Sequence, residues 1–156
     1  MKRYLTVCLF FVGTSVCNGQ SFSQTDSLEI MEALDKVFKS FENPHFSEFR
    51  KISTEEIMCF ICEDASGSEP GSYTVERKSF FDKYLMKIKG YDSWKRASIS
   101  KEFILHKPNS AGVDIIVFLR TWNKNEYAPG NEGAQLGIYF LKVKGVLKFS
   151  GMETIP

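Results

Sequence analysis

Apolar side chains recur along this chain at two different spacings, and one stretch sets the frame for the rest: Val113–Trp122, VDIIVFLRTW. It is rich in β-branched and aromatic residues, lacks Gly and Pro, and is short for a helix, so it reads as a strand in the middle of a sheet. Val113, Ile115, Val117, Leu119 and Thr121 share one face, while Asp114, Ile116, Phe118, Arg120 and Trp122 share the other. Both faces are mostly apolar, so both call for cover.

Upstream the period is helical. Leu28, Met31, Leu34, Val37, Phe38 and Phe41 fall on one face of a helix from Asp26 to about Glu42, with Asp26-Ser27-Leu28-Glu29 at capping-box spacing. Residues 20–25 read as a flexible lead-in. Asn43-Pro44 ends that helix and starts a short second one, about Pro44–Ile52, with Phe46 and Phe49 inward. Ile57–Glu63 reads as a strand, and the Gly-, Pro- and Ser-bearing stretch Asp64–Ser72 as a turn. Tyr73–Thr74 pairs briefly before a third helix, Val75–Lys89, which buries Phe80, Phe81, Tyr84, Leu85 and Ile88 and ends at Gly90. Trp94–His106 alternates apolar and polar residues in its middle and reads as a strand. A turn at Pro108–Gly112 leads into the opening stretch, and a polar loop, Asn123–Gly133, follows it. Gln135–Val143 and Val146–Ile155 form a hairpin about Lys144-Gly145.

The N-terminus departs from this pattern. Lys2 and Arg3 precede the apolar run Tyr4–Val12, which is too short to span a bilayer, and small residues follow. The expectation is a signal peptide over residues 1–19, cleaved after Gly19, and one folded domain over residues 26–156. The competing reading is a lipoprotein acylated at Cys17. Loss of residues 1–19 removes Lys2 and Arg3 and no acid, so the formal charge passes from +1 to −1. That balance gives no electrostatic reason to expect nucleic acid. No transmembrane segment is expected in the mature chain, and the expected destination is the periplasm or cell envelope, or secretion.

The order helix, short helix, strand, brief strand, helix and four strands resembles the nuclear-transport-factor-2-like superfamily, which includes SnoaL-like and ketosteroid-isomerase-like proteins. The resemblance runs from Asp26 to Pro156 and is carried by IMCFICED, ERKSFFDKYLMKI, GVDIIVFLRTW and QLGIYFLKVKGVLKFSGM. It implies an α+β fold of cystatin-like type, in which a curved mixed sheet wraps about three helices to form a cone with a pocket. It also implies a homodimer meeting through the sheet, and a small apolar ligand in the cone. Such a fold hosts enzymes, ligand binders and adaptors alike.

The candidate chemistry is sparse. Cys59 and Cys62 have CxxC spacing, but they sit inside an apparent strand, where residues three apart face opposite sides. The reading is therefore a pair of buried structural cysteines, with a disulfide requiring a bulge. Zinc would need two further ligands, and His45 and His106 lack the spacing. The family's acid–base chemistry points to Asp114, His106, Asp64 and Glu63, none forming a recognisable pair, with Asp114 and His106 the catalytic candidates. Phe60, Trp94, Arg120, Trp122 and Tyr139 are the ligand-binding candidates: a cationic fork and flat apolar walls, suited to a pocket or to a dimer interface. No P-loop, GxGxxG, GxSxG or HExxH occurs, and no cofactor or metal is expected. The first functional reading is a noncatalytic binding or interaction module. The second is a cofactor-independent isomerase, dehydratase or hydrolase using the cone.

Overall fold

A computed structural model of the chain describes residues 22–62, 73–109 and 112–156. The expected leader, Cys17, Glu63 and Asp64 lie outside the described residues.

Helix α1, Gln24–Glu42, begins two residues before the expected start. Ser23 rather than Asp26 is its cap: the Ser23 hydroxyl accepts from the Asp26 N–H, and the Asp26 carboxylate accepts from the Ser23 N–H. Glu29, expected to complete the box, instead pairs with Lys142. The segment expected as a flexible lead-in thus contributes the cap, and Phe22 packs against the core. Helix α2, Phe46–Ile52, starts after His45, with Phe49 buried beneath it.

Strand β1 spans Ser53–Cys59, shorter at its end than expected, because the chain turns at Phe60 and Ile61. That turn corrects the reading of the cysteines. It brings the Cys59 and Cys62 Cα atoms to 5.4 Å and allows a disulfide between them, where a continuous strand would have held them apart. Strand β2, Thr74–Glu76, follows. The third helical stretch then runs as α3 (Arg77–Ser79), a π-helical segment (Phe80–Tyr84) and α4 (Leu85–Gly90). The Leu85 N–H donates to the Phe80 carbonyl five residues back, which widens the helix where Phe80 and Phe81 enter the core.

The expected strand Trp94–His106 divides. Asp92–Ile99 is helix α5, with Trp94 and Ala97 on its buried side, and only Phe103–His106 is strand, β3. The alternation of residues 94–100 fits both periods over so short a span; Ile99, which a strand would have buried, faces solvent. Strands β4 (Ile115–Trp122), β5 (Ala134–Val143) and β6 (Val146–Ile155) complete the chain. Lys144 and Gly145, both at positive φ, make the tight turn between β5 and β6.

The six strands form one sheet in the order β2-β1-β6-β5-β4-β3. It is mixed, since β1 runs parallel to β6 and every other pair is antiparallel. The sheet is curved and unclosed, and the helices fill its concave side. This is the α+β architecture implied by the resemblance. The stretch Val113–Trp122 is an interior strand flanked by β5 and β3, although β5 and β6 hold the middle of the sheet. From Ile115 onward its two faces divide as expected: Val117 and Leu119 join the main core, and Ile116 and Phe118 join a second cluster on the convex face. Val113, expected beside Val117, joins the convex cluster instead, and Asp114, expected beside Ile116, leaves it, because the regular strand begins only at Ile115.

Candidate functional site

The space between helices and sheet is packed with aromatic rings. Phe41 stacks on Trp94 at 3.9 Å between centroids, Phe49 on Phe80 at 5.8 Å, and Phe149 lies within 6.5 Å of Phe41, Phe49 and Phe80. Phe41, Phe49, Phe80, Phe140 and Phe149 are fully buried. Close packing of this kind fills the space between the described helices and the sheet with side chains.

The convex face is different. Strand register lays His106, Ile116, Tyr139, Gly151 and Met58 in one row across it, with Ile104, Phe118, Gly137 and Glu153 in the next. The two glycines lower the surface where large neighbours lie down. A Cβ on Gly151 would stand 2.8 Å from Met58 Cβ, and one on Gly137 would stand 3.1 Å from the Phe118 ring. Phe60, held by its N–H to the Met152 carbonyl, spreads over this surface 4.7 Å from Tyr73 and 6.4 Å from Tyr139. Tyr139 is consequently buried on the outer side of the sheet. Burial first, and the hydrogen bond and negative charge of Glu153 second, push its hydroxyl well above the ordinary tyrosine range.

The sequence candidates therefore separate. Phe60 and Tyr139 meet on the convex face, and Arg120 and Trp122 lie on the same face nearer its far end. Trp94 does not join them, being 4% exposed in the concave core. Arg120 pairs through Nε with Glu102 at 2.9 Å and is partly exposed. Trp122 lies under the Arg96 guanidinium at 5.1 Å and edge-on to Tyr127. Arg96 also donates to the Thr121 carbonyl and pairs with Glu126. The Asn123 N–H, then Arg96, hold the Glu126 carboxyl below its usual range, so the loop after β4 is tied to α5.

Asp114 accepts from the Lys142 N–H and lines a depression of about 340 Å³ with Phe22, Asp26, Glu29, Lys107 and Lys142. His106 is not part of it and packs beside Phe118, 6.3 Å between rings. The two catalytic candidates thus address different surfaces. Another depression, about 320 Å³, is lined by Glu102, Phe103, Ile104, Phe118, Arg120 and Gln135 at the β3 end of the convex face. Among the described residues no group of His, Cys, Asp and Glu is placed to hold a metal ion, and no helix is long and apolar enough to cross a membrane.

Met58, Ile104 and Phe118 belong to this face but were not singled out from sequence. The signal that marks the surface is the pair of glycines inside otherwise regular strands, Gly137 and Gly151.

Comparison with protein-family models and with curated proteins finds no match. Among solved structures, the chain is similar to a designed nuclear-transport-factor-2-like protein, at 17% identity and a TM-score of 0.45, over 85% of this chain and all of that one. At that level the likeness transfers no residue and no activity.

Proposed function

We propose that this is an exported, noncatalytic binding or interaction module, homodimeric through its sheet, whose working surface is the convex face. The observation that carries this reading is the contrast between the two sides of the sheet. Phenylalanines and Trp94 fill the concave side, while Phe60, Tyr73, Ile104 and Phe118 present rings and aliphatic groups on the other. Exposed aromatic and aliphatic groups gathered on one face are the usual mark of a contact surface. Arg120 and Trp122 extend that surface at one end with a cation and a flat ring.

Two measurements test it. Sedimentation velocity at micromolar concentration is expected to give a dimer, and a monomer throughout would overturn the dimeric part. N-terminal sequencing of the chain recovered from the cell envelope or medium is expected to begin at or near Gln20. An intact N-terminus on a chain found only in the cytoplasm would overturn export.

A further inference from the structure

We infer that two copies of this chain join edge to edge through β3, in antiparallel register centred on Ile104. The inference rests on the dimeric part of the reading above and specifies where on the sheet the copies meet. Strand β3 is one edge of the sheet, and its apolar residues are open: Phe103 is 41% exposed and Ile104 56%. An open apolar edge is a template for another strand.

The hydrogen-bond phase of β3 determines which registers can form. The Arg120 N–H donates to the Glu102 carbonyl, so Glu102, Ile104 and His106 turn their backbone groups toward β4. Phe103 and Leu105 therefore turn theirs outward, and an incoming antiparallel strand must bond to those two. A second β3 can do so in three ways. Pairing Phe103 with Phe103 sets Glu102 against Ile104. Pairing Leu105 with Leu105 sets Ile104 against His106. Pairing Phe103 with Leu105 is the self-complementary choice. On the concave side Phe103 meets Leu105 twice. On the convex side Ile104 meets Ile104 across the two-fold axis, flanked by two Glu102–His106 pairs in which the carboxylate accepts from the imidazole. The last register matches apolar with apolar along β3 and sets His106 against Glu102, whose carboxylate also holds Arg120; just beyond β3 it sets Lys101 opposite Lys107. It also sets the two depressions lined by Ile104, Phe118 and Arg120 side by side, making one continuous surface across the dimer.

Disulfide trapping tests the register. In the full chain carrying Cys8→Ser and Cys17→Ser, Ile104→Cys puts two thiols directly opposite in a non-hydrogen-bonded pair, where the Cα separation suits a disulfide. Under mild oxidation by glutathione disulfide this variant is expected to give a covalent dimer about tenfold faster than Phe103→Cys, whose thiols sit diagonally. Ile104→Lys, which sets like charges on the axis, is expected to sediment as a monomer with an unchanged far-UV spectrum. If the parent chain sediments as a dimer but Ile104→Cys crosslinks no faster than Phe103→Cys, and Ile104→Lys stays dimeric, the copies meet elsewhere on the sheet and this inference fails while the dimer stands. If the parent is monomeric and neither cysteine variant crosslinks, both fail together.

Discussion

Phe41 and Trp94 stack nearly parallel, 20° between ring planes, and this contact joins α1 to α5 across the top of the concave core. Phe38 meets the same indole edge-on at 5.2 Å. Trp94→Ala would remove both partners' contacts and leave a cavity that the surrounding rings cannot fill. We expect a loss of about 3–5 kcal/mol in urea unfolding. Phe60→Ala, on the partly open convex face, is expected to lose less than half as much, and equal losses would mean that the two sides of the sheet are equally packed.

Gly151 is the second stability test. A Cβ there would collide with the Met58 backbone where β1 and β6 pair in parallel. Gly151→Ala is expected to cost about 1–3 kcal/mol, since backbone rather than a flexible chain end must yield. Gly90→Ala, with nothing within 4 Å of the added carbon, is the control and should be close to neutral.

The Cys59–Cys62 bridge closes a very short loop that carries Phe60 onto Tyr139. Chain-entropy arguments give such a loop about 2 kcal/mol of stabilisation. Cys59 and Cys62 should resist alkylation in the denatured, unreduced chain and react after treatment with a dithiol. Urea unfolding in reductant should show the corresponding loss. Alkylation without reductant would show that the bridge does not form.

Tyr139 predicts a pH dependence with a definite sign. Its hydroxyl is held protonated in the folded state above the pH at which an unfolded tyrosine ionises, so the folded state binds the extra proton. The stability from this group is fully present below pH of about 10 and declines as pH rises above it. Tyr139→Phe should flatten that alkaline decline. Glu153→Gln should lower the pH at which the Tyr139 phenolate absorbance appears, because the carboxylate is one cause of the shift. A Tyr139 that titrates with the exposed tyrosines would contradict its burial beneath Phe60.

The two arginines should behave differently. Arg96 joins α5 to the loop after β4 through the Thr121 carbonyl, Glu126 and the Trp122 ring, so Arg96→Ala is expected to cost about 1 kcal/mol and to loosen residues 123–131 in hydrogen exchange. Arg120 makes a surface pair with Glu102, and its replacement by Ala is expected to stay within about 0.5 kcal/mol. A large loss for Arg120→Ala would mean that its pair is not simply a solvated one.

Local chemistry determined much of this protein directly. The i, i+3, i+7 spacing of Leu34, Val37 and Phe41 specifies α1, Lys144-Gly145 specifies the closing turn, and alternation from Ile115 to Leu119 specifies which residues face the helices. Those signals are written in neighbouring residues, so they survive without the rest of the molecule. Where short-range signals were degenerate, tertiary packing decided. Residues 94–99 fit a strand or a helix until Trp94 is given Phe41 to stack on, which only the helix allows. Cys59 and Cys62 face apart or together depending on whether β1 continues, and β1 stops because Phe60 finds Tyr73 and Tyr139 on the convex face. The candidate residues divided for the same reason: residue type announces that Trp94 and Tyr139 are buried aromatics, but the side of the sheet on which each is buried is a property of strand register and helix docking, contacts made between residues far apart in the chain.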